Sequence, residues 1–75
     1  MTNNNLYNLL DKASKLGLEQ FKHELETCEL FDGLLWTEVK QDDGNTEIVL
    51  ELFDKITYNT EYFTSYEFNS SGMVI

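Results

Sequence analysis

The sequence predicts an α+β fold, with two short N-terminal helices packed on one face of a three-stranded antiparallel sheet. Three observations favour this fold. The 75 residues, 41% of them hydrophobic, suffice for one small acidic domain over residues 1–75. Apolar residues recur at helical spacing as far as Cys28, and at every second position from Leu34. Asp43-Gly44 separates two such alternating segments, which is typical of a hairpin.

Two helices are predicted before residue 30. The first, over residues 6 to 16, follows an Asn-rich start that we expect to be flexible over residues 1 to 5, and Asn3, Asn4 or Asn5 is the candidate cap. Gly17 fits the left-handed position that ends a helix. The second helix then begins at Leu18. The two apolar stripes contain Leu6, Leu9, Leu10, Ala13 and Leu16, and then Leu18, Phe21, Leu25 and Cys28.

The register of the first hairpin is predicted from a two-residue turn at Asp43-Gly44. It pairs Val39 with Ile48, Thr37 with Leu50, and Leu35 with Leu52 on the core face. The other face pairs Lys40 with Glu47, Glu38 with Val49, Trp36 with Glu51, and Leu34 with Phe53. A slip of one residue would break both the aliphatic face and the Lys40–Glu47 pair, and this favours the stated register.

The remaining residues predict further strands. Residues 56 to 68 are rich in Thr, Tyr and Phe and are interpreted as strand, turn, strand, with the turn at either Asn59-Thr60 or Asp54-Lys55. Asn69 to Gly72 is predicted as a turn. Met73 to Ile75 would then form a short fourth strand at the edge.

Charge narrows the classes of partner. Fourteen acidic residues face five lysines, there is no arginine, and the formal net charge is −9. Direct binding of nucleic acid or of an anionic membrane is therefore not expected, because both need a basic patch. The expected partner is the basic surface of a nucleic-acid-binding protein such as a nuclease, an effector or a glycosylase. Cys28 is the only cysteine, and no signal peptide or spanning segment is recognisable, which predicts a cytoplasmic protein.

No motif for catalysis, metal binding or a cofactor is recognisable. His23 and Cys28 lie five positions apart, so on a helix they point in different directions. Aligning Gly44 with the glycine of a calcium loop places Val39 and Leu50 at ligand positions, where their side chains cannot bind the ion. Paired carboxylates could serve a glycosidase, but so short a chain leaves little room for a cleft. We therefore expect no enzyme, no metal and no cofactor.

The acidic hairpin is the candidate partner-binding site, because carboxylates alternate there with apolar side chains. Duplex DNA carries one negative charge per about 1.7 Å of its axis, and a rigid acidic domain can occupy the basic cleft that binds it. This hypothesis assigns partner binding to Trp36, Glu38, Asp42, Asp43, Glu47, Val49, Glu51 and Phe53.

In size, charge, lack of cysteine pairs and α+β plan, the chain resembles the small acidic inhibitors that bacteriophages and mobile elements direct at host proteins. These include uracil-glycosylase inhibitors, antirestriction proteins and anti-CRISPR proteins. The resemblance implies inhibition by mimicry of DNA, in the host cytoplasm if the protein is phage-encoded. The alternative is a non-enzymatic interaction module or a homodimeric regulatory or immunity-type protein that uses the apolar face around Trp36 and Phe53. A further alternative is that the charge serves only to keep the protein soluble.

Overall fold

The computed structural model describes residues 3–31 and 33–75, and it confirms the α+β class. Two helices, α1 (Asn3–Ser14) and α2 (Leu18–Thr27), precede a 3₁₀ turn at Glu29–Phe31. The strands β1 (Leu34–Lys40), β2 (Thr46–Asp54) and β3 (Asn59–Phe68) form one antiparallel sheet in the order β1-β2-β3. In place of a fourth strand, Val74 makes a single bridge to Phe68. Within the described ranges, no helix is both long and apolar enough to cross a bilayer.

Helix α1 begins earlier than predicted. Because it starts at Asn3, Asn5 lies inside the helix and is not its cap. The expectations for residues 1 and 2, and for capping by the side chains of Asn3 and Asn4, lie outside what the structure describes.

Gly17 has the positive φ that was predicted, but it begins α2 and does not adopt the left-handed conformation expected at the end of α1. Its φ of 100° and ψ of 162° lie outside the left-handed helical region, and it is the N-cap of α2. This combination of angles is essentially limited to glycine. The next residue, Leu18, donates its N–H to the carbonyl oxygen of Gly72 at 2.8 Å. The corner between the helices is thereby fixed to the predicted turn at Asn69 to Gly72, which is present.

The core lies between the helices and one face of the sheet. Phe21 of α2 packs against Tyr66 and Phe68 of β3, with ring centroids 5.4 Å apart in both pairs. Tyr7 of α1 stacks on Phe63 at 4.5 Å. The buried hydrophobic residues are Leu10, Ala13, Phe21, Leu25, Phe31, Ile48, Leu50, Phe63 and Phe68.

Tyr66 also ties the sheet to α1 through a polar contact. Its O–H donates to the Asp11 carboxylate at 2.5 Å. Burial raises the pKa of the Tyr66 phenol above its usual value, and the Asp11 carboxylate raises it further because it favours the neutral donor.

The predicted register of the first hairpin is wrong by one residue. The observed pairs are Val39 with Glu47, Thr37 with Val49, and Leu35 with Glu51. On the opposite face, the predicted partners are replaced by the pairs Lys40 with Thr46, Glu38 with Ile48, Trp36 with Leu50, and Leu34 with Leu52.

The turn chemistry explains this shift. A two-residue turn of type I′, the type that Asp-Gly favours, needs positive φ at both central residues, but in this turn only Gly44 has it, with φ of 90°. The loop is instead Asp42–Gly44: Gly44 N–H donates to the Gln41 oxygen at 3.2 Å, and Gln41 N–H donates to the Asn45 oxygen at 2.8 Å. This is a three-residue loop with a bulge at the glycine. The Asp43 carboxylate accepts the Asn45 N–H at 3.0 Å, and this hydrogen bond stabilises the loop.

The second hairpin corrects the reading of residues 56 to 68 as two strands. Asp54 pairs with Asn59 across a turn at residues 55–58, and β3 then continues unbroken to Phe68. Asp54-Lys55, one of the two predicted positions, opens this turn, and the Asp54 carboxylate accepts the Ile56 N–H at 2.8 Å. A bulge opposite Leu50 and Glu51 leaves Phe63 as the extra residue of β3.

Candidate functional site

One face of the sheet is not covered by the helices. Along β2, Ile48 and Leu50 are buried against α1 and α2, whereas the residues between them project to the opposite side. We name this second side the open face. By strand pairing it consists of Leu35, Thr37 and Val39 of β1, Glu47, Val49, Glu51 and Phe53 of β2, and Thr60, Tyr62, Ser65 and Glu67 of β3.

Neutral groups, not cations, hold the three carboxylates of the open face. Glu47 and Glu67 lie directly opposite each other on neighbouring strands. The Asn45 side-chain amide donates to Glu67 at 2.8 Å, and the Gln41 amide donates to Glu47 at 3.4 Å. The third, Glu51, accepts the Thr60 hydroxyl at 3.3 Å. These bonds position the carboxylates without neutralising their charge.

The two lysines that form ion pairs within the described residues lie elsewhere. Lys22 of α2 contacts the carboxylates of Glu19 at 3.2 Å and Glu38 at 3.4 Å on the helix side of the sheet. Hydrogen bonding to Glu19 raises the pKa of Lys22, and Glu38 adds to this effect. Lys40 also lies beside Glu38, at 4.0 Å. The ion pairs of the described residues therefore lie on the helix side of the sheet, and the three open-face carboxylates take part in none of them.

Apolar side chains are interleaved with the carboxylates. Leu35, Val39, Phe53 and Tyr62 keep 47%, 40%, 42% and 66% of their surface exposed. At the end of the face, Phe53 contacts Tyr58 edge-to-face at 6.3 Å. The open face thus combines carboxylates with apolar patches, which is a pattern typical of contact surfaces.

The residues that the sequence assigned to the site do not all lie on one face of the sheet. Glu47, Val49, Glu51 and Phe53 lie together on the open face, as predicted. Asp42 and Asp43 lie in the exposed turn at one end of the hairpin.

The placement of Trp36 and Glu38 beside these residues is wrong. Trp36 pairs with Leu50 and packs against the core, while Glu38 is bonded to Lys22. A single contact face that joins Trp36 to Phe53 is therefore also wrong, because the two lie on opposite sides of the sheet. The shift in register moved every β1 side chain to the other face.

Seven residues of the open face were missed by sequence reasoning. The wrong register assigned Leu35, Thr37 and Val39 to the core, and no face was assigned to Thr60, Tyr62, Ser65 and Glu67. The alternation of β3 could have identified Glu67, since it lies one position before the buried Phe68.

Grooves also lie outside the open face. One of about 670 Å³, between the α1–α2 corner and the C-terminal turn, is lined by both polar and apolar residues, which include Gln20, Lys40 and Met73. An apolar groove of about 330 Å³ beside α1 is lined by residues that include Leu9, Leu16 and Leu30. Over residues 3–31 and 33–75, no group of three or more His, Cys, Asp or Glu side chains is arranged to hold a metal ion.

Comparisons with known protein families, with curated proteins and with solved structures found nothing that matches this chain.

Proposed function

We propose that this protein is a non-enzymatic inhibitor that acts in the cytoplasm by binding the basic surface of a nucleic-acid-binding protein through its open face. The observation that carries this proposal is the set of three unneutralised carboxylates, Glu47, Glu51 and Glu67, on one side of the sheet. A basic cleft that binds phosphates attracts such a surface, and association is favoured by release of the counterions of both partners.

Charge density decides how much of the binding can be electrostatic. Glu47 and Glu51 are four residues apart in a strand, a separation of about 13 Å. Duplex DNA presents about eight charges over that length, against three on the open face. Charge alone would therefore not compete with DNA for the same cleft. Apolar contacts by Leu35, Val39 and Phe53 would have to supply the difference, and DNA has no equivalent of them.

The test compares two variants of equal net charge. The open-face variant replaces Glu47, Glu51 and Glu67 with Gln, which keeps an oxygen as acceptor for each neighbouring donor. The control variant replaces three exposed acids outside the open face, Glu26, Glu29 and Glu61, with Gln. Each variant carries three fewer negative charges than the natural chain, so overall charge is matched.

The partner is first captured on immobilised protein from a nuclease-treated bacterial lysate, and elution by duplex DNA is measured at low and moderate salt. The purified partner is then titrated with each variant. We expect the open-face variant to bind about tenfold more weakly or worse, since exposed charge pairs contribute about 0.2–1 kcal/mol each. The control variant should change affinity much less. Equal losses in both variants, or a partner that neither salt nor DNA releases, would contradict mimicry of DNA.

A further inference from the structure

The outer edge of β1 is an open sheet edge. β1 is the first strand in the sheet order, and no described residue forms a backbone hydrogen bond with its outer side. The other edge of the sheet is partly closed, because Val74 bridges Phe68 and Ile75 N–H donates to the Glu67 oxygen at 2.9 Å. β1 thus presents an unpaired edge seven residues long, a surface that readily accepts another strand.

The turn determines which backbone groups point outward. Gln41 and Asn45 form a hydrogen-bonded pair, and such pairs recur at every second residue of an antiparallel ladder. Val39, Thr37 and Leu35 therefore bond inward to β2. The N–H and C=O groups that point outward belong to Leu34, Trp36, Glu38 and Lys40.

Charge identifies the occupant of this edge. β1 contains one glutamate and one lysine and is neutral, whereas β2 carries three carboxylates and β3 two, with no lysine in either. In a chain of net charge −9, a second copy meets the least repulsion along β1. The strand also contains no proline and no bulge, two of the devices that block edge pairing, and its two charges are of opposite sign.

We propose that two copies of this chain pair antiparallel through β1, centred on Thr37. In this register Thr37 faces Thr37 of the second copy, Leu35 faces Val39, Trp36 faces Glu38, and Leu34 faces Lys40. No like charges are opposed, and all seven residues pair. A shift that centres the pair on Glu38 would bring two carboxylates together, which is unfavourable.

This pairing has two consequences for the surface. Leu35 and Val39, which are 47% and 40% exposed in the single chain, lie against each other across the two-fold axis. The two sheets become one sheet of six strands, with both open faces on the same side.

Self-association is measured by analytical ultracentrifugation from about 1 µM to about 500 µM, a range that covers interfaces of moderate strength. Thr37 is exposed, so replacing it should leave the fold intact. Thr37→Glu and Thr37→Lys each place like charges against each other and should raise the dimer dissociation constant about tenfold. An equimolar mixture of the two variants should restore a heterodimer. Thr57→Glu and Thr57→Lys, at an exposed position in the β2–β3 turn, are the matched controls and should have no effect.

The register is tested by cross-linking in a Cys28→Ser background. Thr37→Cys places two thiols in a pair whose Cα atoms are about 4.5 Å apart, which suits a disulfide. Leu35→Cys leaves its two copies about 13 Å apart, and they should not cross-link. A chain that stays monomeric over the whole range, or a dimer insensitive to both Thr37 charge variants, would overturn the proposal. Because the readout is self-association, the outcome does not depend on the function proposed above.

Discussion

Glu47 and Glu67 face each other on the open face, and their repulsion should lower the stability of the fold. Replacing Glu67 with Gln removes one charge and keeps an oxygen that can accept the Asn45 amide. Directly opposed side chains have Cβ atoms about 5 Å apart. At that distance two unit charges repel by about 0.8 kcal/mol in water, and by about half of that at physiological ionic strength. The expected effect of Glu67→Gln is an increase of about 0.5 kcal/mol in the free energy of unfolding, or about 3 °C in Tm.

Urea unfolding, followed by the fluorescence of the single tryptophan Trp36, measures this change. A double-mutant cycle with Glu47→Gln and Glu67→Gln isolates the coupling between the two side chains. Glu61→Gln, in the same strand but opposite Leu52, is the control for overall charge. If the control stabilises the protein as much as Glu67→Gln does, or if the coupling is zero, the two carboxylates do not oppose each other and the reasoning fails.

The same substitution connects stability with binding. If the open face binds a basic partner, Glu67→Gln should strengthen the fold and weaken the complex. A site in which a change improves stability and reduces affinity is one where the charge is retained for function and not for folding.

Three further predictions concern the fold. Leu50 is fully buried and Leu35 is half exposed, so Leu50→Ala should reduce the free energy of unfolding by about 2–5 kcal/mol and Leu35→Ala by less than about 1 kcal/mol; equal losses in urea unfolding would contradict the observed register. Because the pKa of Tyr66 is raised above that of an unfolded tyrosine, about 10, its neutral phenol contributes stability that is fully present below pH about 10 and is lost as the pH rises above it. Phenolate absorbance should therefore show one tyrosine that titrates well above pH about 10, and Tyr66→Phe should remove that titration and reduce the loss of stability at high pH. Gly17→Ala should lower the free energy of unfolding by about 1–3 kcal/mol, and with it Tm, because the φ of 100° at this position disfavours any residue with a side chain; an unchanged Tm would count against strain at this corner.

Short-range patterns in the sequence were enough to predict those elements whose structure depends on neighbouring residues. The apolar stripes around Leu10 and Phe21 predicted two helices, because helical spacing alone brings those residues to one side. The polar residues at Asn69 to Gly72 predicted a turn for a similar reason, since the Asn69 side chain accepts backbone N–H groups from Ser71 and Met73. Alternation along β2 also predicted correctly which side of that strand is buried.

The facing of β1 could not be predicted in the same way. Both registers place apolar residues on the core side, so the pattern of β1 does not distinguish them. The choice depends on the backbone angles of one turn, where only Gly44 takes positive φ, and on the packing of Trp36 against the core. The predicted facing of Glu47, Val49, Glu51 and Phe53 was correct because it came from β2, and that of Trp36 and Glu38 was wrong because it came from β1.

By itself, the sequence of this protein determined the α+β class, the two helices, the acidic character and the buried side of β2, because each follows from composition or from a short-range period. Only the tertiary structure decided that the open face combines Leu35 and Val39 with Glu47, Glu51 and Glu67, and that the lysines of α2 and β1 pair on the other side. The physical reason is that side chains alternate with a period of two. A bulge of one residue at a single turn therefore exchanges the two faces of a strand without changing its sequence pattern.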